Sequence, residues 1–163
     1  VRKYGLVADK YILSVGTIEP RKNLKMSLRA FLEISRKGID PELKYAVLGG
    51  KGWGDGFEDI EREFPDCFKE RIRFLGFVSD EDLSFVYSGA LFFVYLSLYE
   101  GFGLPPLEAM KCGLPVLVSN TSSLPEVVGN AGILVDPRDQ VRIQIEMQNL
   151  LANKELRKSL SVK

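Results

Sequence analysis

The 163-residue sequence has no histidine, only two cysteines and a single tryptophan. Without His, this segment can build no Ser-His triad, no His-ligated metal site and no imidazole general base. Cys67 and Cys112 form no short-spaced metal motif, and each reads as a buried free thiol. Neither sign of charge dominates, since 22 basic residues face 22 acidic ones for a net charge of zero. A broad electrostatic surface for nucleic acid is therefore not expected. Long hydrophobic runs are missing too. The most apolar stretch, "LFFVYLSL" (Leu91 to Leu98), falls far short of the roughly 20 residues that a spanning helix needs. No leader is visible either, so a cytoplasmic, reducing location is the default expectation.

What is present is an ordinary globular composition, 45% hydrophobic and 27% charged, in a chain long enough to bury a sizeable core. Residues 1–163 read as one domain. Short apolar runs ended by glycine alternate with helical patterns. "KYILSVG", "KYAVLGG", "IRFLGFV", "LFFVYLSL", "PVLVSN" and "AGILVDP" read as six strands. Between the first two, Leu24, Leu28, Phe31, Leu32 and Ile34 mark one face of a helix that Asn23 can cap and Gly38 ends. A polar helical stretch near Phe57 to Phe68 is interrupted by Pro65. Ser79 or Asp80 caps another helix, and "LPPLEAMKCG" starts a further one at its prolines and stops at Gly113. The tail from Gln140 is helical, with Lys154 to Lys163 as a separate short helix. Alternating strands and helices predict an α/β fold: a doubly wound, Rossmann-like parallel sheet of about six strands with helices on both faces. Such a sheet binds ligands beyond the carboxyl ends of its strands, which directs attention to the loops there.

The loop after the first strand, "GTIEPRKN", sets Arg21 and Lys22 beside a helix N-terminus, an arrangement that makes sense for holding an anion. The same pair would otherwise be two solvated cations in a turn. The glycine-rich "GGKGWGDG" invites a phosphate-loop reading, but its spacing fails. Lys51 is followed by Gly52 rather than Ser or Thr. A flexible loop with Trp53 as a surface or interdomain anchor is the better reading, with no direct role in chemistry. After the third strand, Phe77 and Val78 could border a nucleobase, although a strand end and a capped helix explain them equally well.

The loop after the fourth strand, "YEGFGLPPLEAMKCG", carries Glu100 and Glu108 around Gly101 and Gly103. The glycines bring bare backbone close to a ligand, and the following helix mouth offers an anion or hydroxyl site. Each ionised carboxylate can accept the hydroxyls of a vicinal diol. Two carboxylates at this spacing also occur constantly as surface charge.

In the form "EGFGLPPLEAMKCGLPVLVSN", the stretch resembles the signature of the retaining nucleotide-sugar glycosyltransferases of family four, also called group one. The resemblance continues through "GTIEPRKN", "IRFLGFVSDEDLSFVYSGA" and "SSLPEVVGNAGILVDPRD", covering about Tyr11 to Asp139 with the motifs in the family's order. It implies the C-terminal, donor-binding half of a two-domain GT-B fold, with the N-terminal acceptor domain absent. It implies that Arg21 and Lys22 neutralise the donor's diphosphate, and that Glu108 binds the ribose while Glu100 sits nearer the transferred sugar. Gly101, Phe102, Gly103 and Leu104 would offer backbone N–H groups, Phe77 and Val78 would border the base, and Gly16 and Thr17 would line the donor site. Many relatives carry an additional Arg at the place of Thr17, so the charge clamp here would rest on Arg21 and Lys22 alone.

The implied activity is hexosyl transfer with retention, without metal or other cofactor. The donor would be GDP-mannose, a UDP-sugar or an ADP-sugar. The motifs lean towards mannosyl transfer in polysaccharide synthesis. A glycan or lipid-linked acceptor would be held by the missing domain, with peripheral association of the whole enzyme at the inner membrane face. The isolated segment is expected to bind nucleotide without efficient turnover. Two rivals are a glycosidase using Glu100 and Glu108 as its carboxylate pair and a non-enzymatic nucleotide-binding α/β module.

Overall fold

The computed structural model describes residues 1–54 and 56–161. Asp55 of the glycine-rich loop and the last two residues of the expected C-terminal helix lie outside them. Six parallel strands form one sheet in the order β3-β2-β1-β4-β5-β6. They are β1 (Tyr11–Val15), β2 (Lys44–Leu48), β3 (Ile72–Gly76), β4 (Phe93–Tyr95), β5 (Val116–Ser119) and β6 (Ile133–Val135). The predicted doubly wound, Rossmann-like sheet is thus what the chain forms. Its strand order reverses between β1 and β4, with β2 and β3 on one side and β5 and β6 on the other, the point at which such sheets open a crevice.

The strand sequences are apolar at nearly every position because both faces are covered. Successive side chains in β1 part to opposite sides: Ile12 joins one core while Tyr11 and Leu13 join the other. The first core is covered by α1 (Leu24–Arg36), α2 (Glu58–Glu63), α3 (Pro65–Arg71), α7 (Gln140–Ala152) and α8 (Lys154–Ser161). Within α1, Leu24, Leu28, Phe31, Leu32 and Ile34 are all buried, as their helical spacing predicts. The second core is covered by α4 (Asp80–Ser88), α5 (Leu104–Lys111) and α6 (Leu124–Val128).

Several local expectations are corrected. The fourth strand is three residues long, Phe93–Tyr95, not the eight of Leu91 to Leu98. Leu96 and Ser97 remain buried but have left the ladder to approach the crevice. Asn23 makes no side-chain cap on α1; it sits in the left-handed region at φ 52° and donates instead to the Pro137 carbonyl at 2.8 Å. Ser79 does not cap α4 through its side chain, because its hydroxyl donates to the Asp82 carboxylate at 2.7 Å. Helix α5 begins one residue before Pro105, at Leu104. Helix α6 was not anticipated. Cys67 and Cys112 are free, as expected, but half-buried rather than buried.

Candidate functional site

The loops after β1 and β4 face each other across the switch point. The chain leaves β1 at Gly16, whose φ of 142° lies in the region that favours glycine. A Cβ there would come to 3.4 Å from Lys22 Cε, so the lysine stem packs directly against this turn. A single 3-10 turn, Pro20–Lys22, then delivers Arg21 and Lys22 to the crevice.

The glycine-rich loop after β2 is a brace for this turn. Gly49 packs directly on Gly16: a Cβ on Gly49 would lie 2.1 Å from the Gly16 carbonyl oxygen. Ile18 N–H donates to Gly50 O at 3.0 Å, and Gly52 N–H donates to Ile18 O at 3.1 Å. Those glycines serve backbone-to-backbone contact, which is why the loop has no phosphate-loop spacing. Trp53 is exposed, 69% accessible.

Lys22 and Arg21 converge on one carboxylate. Glu100 Oε1 accepts from Lys22 Nζ at 2.8 Å, and Glu100 Oε2 from Arg21 at 2.8 Å. Arg21 also donates to the Tyr99 carbonyl at 2.7 Å and to Glu19 Oε1 at 2.6 Å. The two cations are therefore matched by two carboxylates, Glu19 and Glu100, and are not a free clamp as the sequence led one to expect. Glu100 is only 8% exposed. Burial alone would raise its pKa, but donation from Lys22, Tyr95 and Arg21 outweighs that and lowers it from 4.5 to about 2. Its carboxylate is thus ionised throughout the neutral range.

Tyr95, at the end of β4, completes the cluster. Its hydroxyl donates to Glu100 Oε1 at 2.8 Å and accepts from Lys22 Nζ at 2.5 Å. The Lys22 ammonium lies 4.9 Å from the Tyr95 ring centroid, beyond the hydroxyl rather than over the ring face. Tyr95 stacks on Phe93 at 5.8 Å, and Phe93 meets Tyr87 in a tilted contact at 5.9 Å. The Tyr87 hydroxyl in turn donates to Glu108 Oε2 at 2.8 Å. Glu100 and Glu108 are thus each held by a tyrosine, and the two rings are linked through Phe93. Burial pushes the phenol pKa of both tyrosines well up, so both stay protonated donors.

The connecting loop is tied down from the far side. Ser122 Oγ accepts from Glu100 N–H at 3.0 Å. Ser123 Oγ lies 2.7 Å from the Phe102 carbonyl and 3.1 Å from that of Glu100. Gly103, at φ 106°, lets the backbone turn into α5 against Leu124, which a Cβ would approach to 2.8 Å. Two of the first helical positions are Pro105 and Pro106, which have no N–H. Donors at this helix mouth must therefore come mainly from Gly103 and Leu104 and from the loop residues Gly101 and Phe102. Phe102 and Leu104 are exposed, 58% and 60% accessible. Thr17 is also exposed.

Of the residues singled out from sequence, Gly16, Arg21, Lys22 and Glu100 come into one cluster with the Gly101–Leu104 loop beside it. Glu108 belongs to a neighbouring one. Phe77 and Val78 follow β3. Phe77 is 87% exposed, whereas the Val78 side chain is buried in the second core and offers only backbone to a ligand. Sequence reading missed Tyr95, Tyr87, Glu19, Ser122 and Ser123. The aromatic residues looked like core alone, and nothing in their spacing marks a hydroxyl that points at a carboxylate. As for a glycosidase pair, a general acid needs a raised pKa. Glu100 has the opposite and so is not the acid of such a pair. Among the described residues no group of three or more Cys, Asp or Glu could hold a metal ion. No helix among them is long and apolar enough to cross a membrane.

Fold and site together define a doubly wound α/β domain with a charged cluster at its switch point. The chain belongs to the glycosyl transferases of group 1, whose family model matches residues 2–163. It is 46% identical over 143 residues to an O-antigen chain mannosyltransferase B of Escherichia coli, covering 85% of this chain and 36% of that protein. It is 38% identical over 161 residues to a serotype-specific mannosyltransferase WbdA of Escherichia coli, covering 97% of this chain and 19% of that protein. Among solved structures, the sucrose-phosphate synthase of Thermosynechococcus elongatus superposes with a TM-score of 0.81 at 29% identity, over 98% of this chain and 41% of that one. The glycosyltransferase WaaG, involved in lipopolysaccharide biosynthesis, shares the fold with a TM-score of 0.78 at 20% identity. The chain therefore spans about a third or less of the length of these curated relatives.

Proposed function

We propose that this chain is the donor-binding, C-terminal half of a retaining GT-B glycosyltransferase that moves a hexosyl group, with mannosyl as the leading choice, from a nucleoside-diphosphate sugar to a glycan or lipid-linked acceptor. The observation that carries the reading is the meeting of Lys22 and Arg21 with Glu100 at the switch point, 2.8 Å apart in each pair. Departure of a nucleoside diphosphate builds negative charge. Fixed cations beside it, together with the N–H groups of Gly101 to Leu104, stabilise that charge without having to reorganise. In this reading Glu108 takes the ribose hydroxyls, Glu100 takes sugar hydroxyls, Phe77 and the Val78 backbone border the base, and Gly16 and Thr17 line the phosphates. No divalent metal is required for that division of labour, since the protein's own cations take its place.

Glu19 and Glu100 balance the cations in the absence of ligand, so donor binding must redistribute the contacts. Glu100 exchanges part of its ion pairing for sugar hydroxyls, while Arg21 and Lys22 stay in place and give the N–H hydrogens so freed to phosphate. The two Escherichia coli relatives, both mannosyltransferases by name, support the mannosyl lean and a place in surface-polysaccharide synthesis. A cytoplasmic location, with peripheral attachment to the membrane face where lipid-linked acceptors reside, accords with those donors and acceptors. The acceptor then belongs to a second domain, and the present chain alone turns over poorly.

Calorimetric titration of the folded chain with GDP, UDP and ADP tests this. At least one should bind, and Lys22→Ala should weaken that binding by about tenfold or more. Binding of none of the three by folded protein would refute the reading.

A further inference from the structure

We propose that Tyr95 is a positioning residue that holds the Lys22 ammonium where the donor's diphosphate must bind. The inference rests on the reading of Lys22 as the diphosphate's cation, and it adds a residue that this reading does not contain.

A lysine ammonium sits on a flexible four-carbon stem, so its electrostatic value depends on what restricts it. Two features of Tyr95 do so together. The phenol oxygen accepts from Lys22 Nζ at 2.5 Å. The ammonium lies beyond the hydroxyl end of the ring, 4.9 Å from its centroid, so it is the oxygen and not the ring face that holds it. The phenol proton is given to Glu100 Oε1 at 2.8 Å, which leaves the oxygen lone pairs turned towards Lys22. Tyr95 is itself immobile: it is 4% exposed and stacked on Phe93 with an interplanar angle of 19°. It sits on β4, at the switch point, so the rigid sheet rather than a loop fixes the ammonium. When Glu100 turns partly to a ligand, Lys22 loses a partner, and Tyr95 is the contact that remains. A preorganised charge of this kind is worth more than a mobile one, because no ordering cost falls due on binding.

The test compares the parent chain with Tyr95→Phe, which removes the hydroxyl and keeps the ring. Tyr11→Phe is the control, because Tyr11 is also buried on a strand of the same sheet and its hydroxyl donates to Val86 O of α4 at 2.5 Å, away from Lys22. Each is titrated with the nucleoside diphosphate that the parent binds best among GDP, UDP and ADP, and with the matching monophosphate. Tyr95→Phe should weaken the diphosphate about tenfold and the monophosphate less than about threefold, with Tyr11→Phe near parental for both. In a Lys22→Met background, Tyr95→Phe should cost nothing further for the diphosphate, because its effect runs through Lys22. If Tyr95→Phe melts below the assay temperature, Tyr95→Met supplies the same comparison. Unchanged diphosphate affinity, equal losses for both ligands, or a full additional loss in the Lys22→Met background would overturn the role of Tyr95 while leaving nucleotide binding intact. A folded parent that binds no diphosphate would overturn the underlying reading, and this inference with it.

Discussion

Lys22 Nζ lies 2.8 Å from Glu100 Oε1, although 78 positions separate the two residues in the chain. The pair closes the crevice between β1 and β4 and joins the two loops that the strand order brings together. Its energetics contribute to the acid behaviour of the domain.

Glu100 has a folded-state pKa of about 2, below its ordinary 4.5. A depressed carboxylate pKa adds stability that is fully present above about pH 4.5 and is lost as the pH falls through about 2. Denaturant melts between pH 7 and pH 2.5 should show that loss beginning below pH 4.5. Glu100→Gln should be less stable than the parent at pH 7, and the gap should narrow as the solution is acidified. A gap that stayed constant across this window would show that the ion pairs with Lys22 and Arg21 do not set the Glu100 titration.

The glycine-rich loop supplies a contrast between adjacent residues. Gly49 has φ 142° and its Cβ position lies 2.1 Å from the Gly16 carbonyl oxygen, whereas a Cβ on Gly50 meets nothing within 4 Å. Gly49→Ala should cost roughly 3 kcal/mol or more, combining backbone strain with a steric clash. Gly50→Ala should fall within about 0.5 kcal/mol of the parent. Urea unfolding of the two variants decides the point. Equal stabilities would mean that the loop does not brace the Gly16 turn.

Tyr87 holds the second carboxylate, donating to Glu108 Oε2 at 2.8 Å. Tyr87→Phe frees Glu108 to rotate, and if Glu108 binds ribose, nucleoside and nucleotide affinities should both drop about three- to tenfold. The pattern differs from that expected of Tyr95→Phe, which should discriminate between diphosphate and monophosphate. Parallel titrations with nucleoside, monophosphate and diphosphate separate the two tyrosines. Unaltered affinity for all three ligands in Tyr87→Phe would remove Glu108 orientation from the account.

Much of the fold was legible because it is written in local pattern. Apolar runs such as Ile12–Val15 and Val116–Val118 can be satisfied only by a strand covered on both sides. The helical face of Leu24, Leu28, Phe31 and Leu32 repeats at the period of a helix packed on that sheet. Element edges were less legible. Leu96 and Ser97 are as apolar or small as their neighbours in β4, and only pairing with β5 determines where the ladder stops. Asn23 has the chemistry of a cap, but a carbonyl 114 positions away, at Pro137, takes its amide instead.

The sequence by itself determined the strand–helix alternation, the carboxyl-end loops and the identity of the charged groups within them, because each depends on residues near one another in the chain. Only the tertiary structure decided how those charges are matched. Placing Arg21 and Lys22 against Glu100, and setting the Tyr95 hydroxyl against Lys22, depends on the sheet order that puts β1 next to β4. Hydrogen-bond geometry acts over less than about 3.5 Å, and no spacing along the chain encodes that distance between residues 70 or more positions apart. What read along the chain as a pair of free cations is, in the folded domain, a balanced cluster held by a tyrosine.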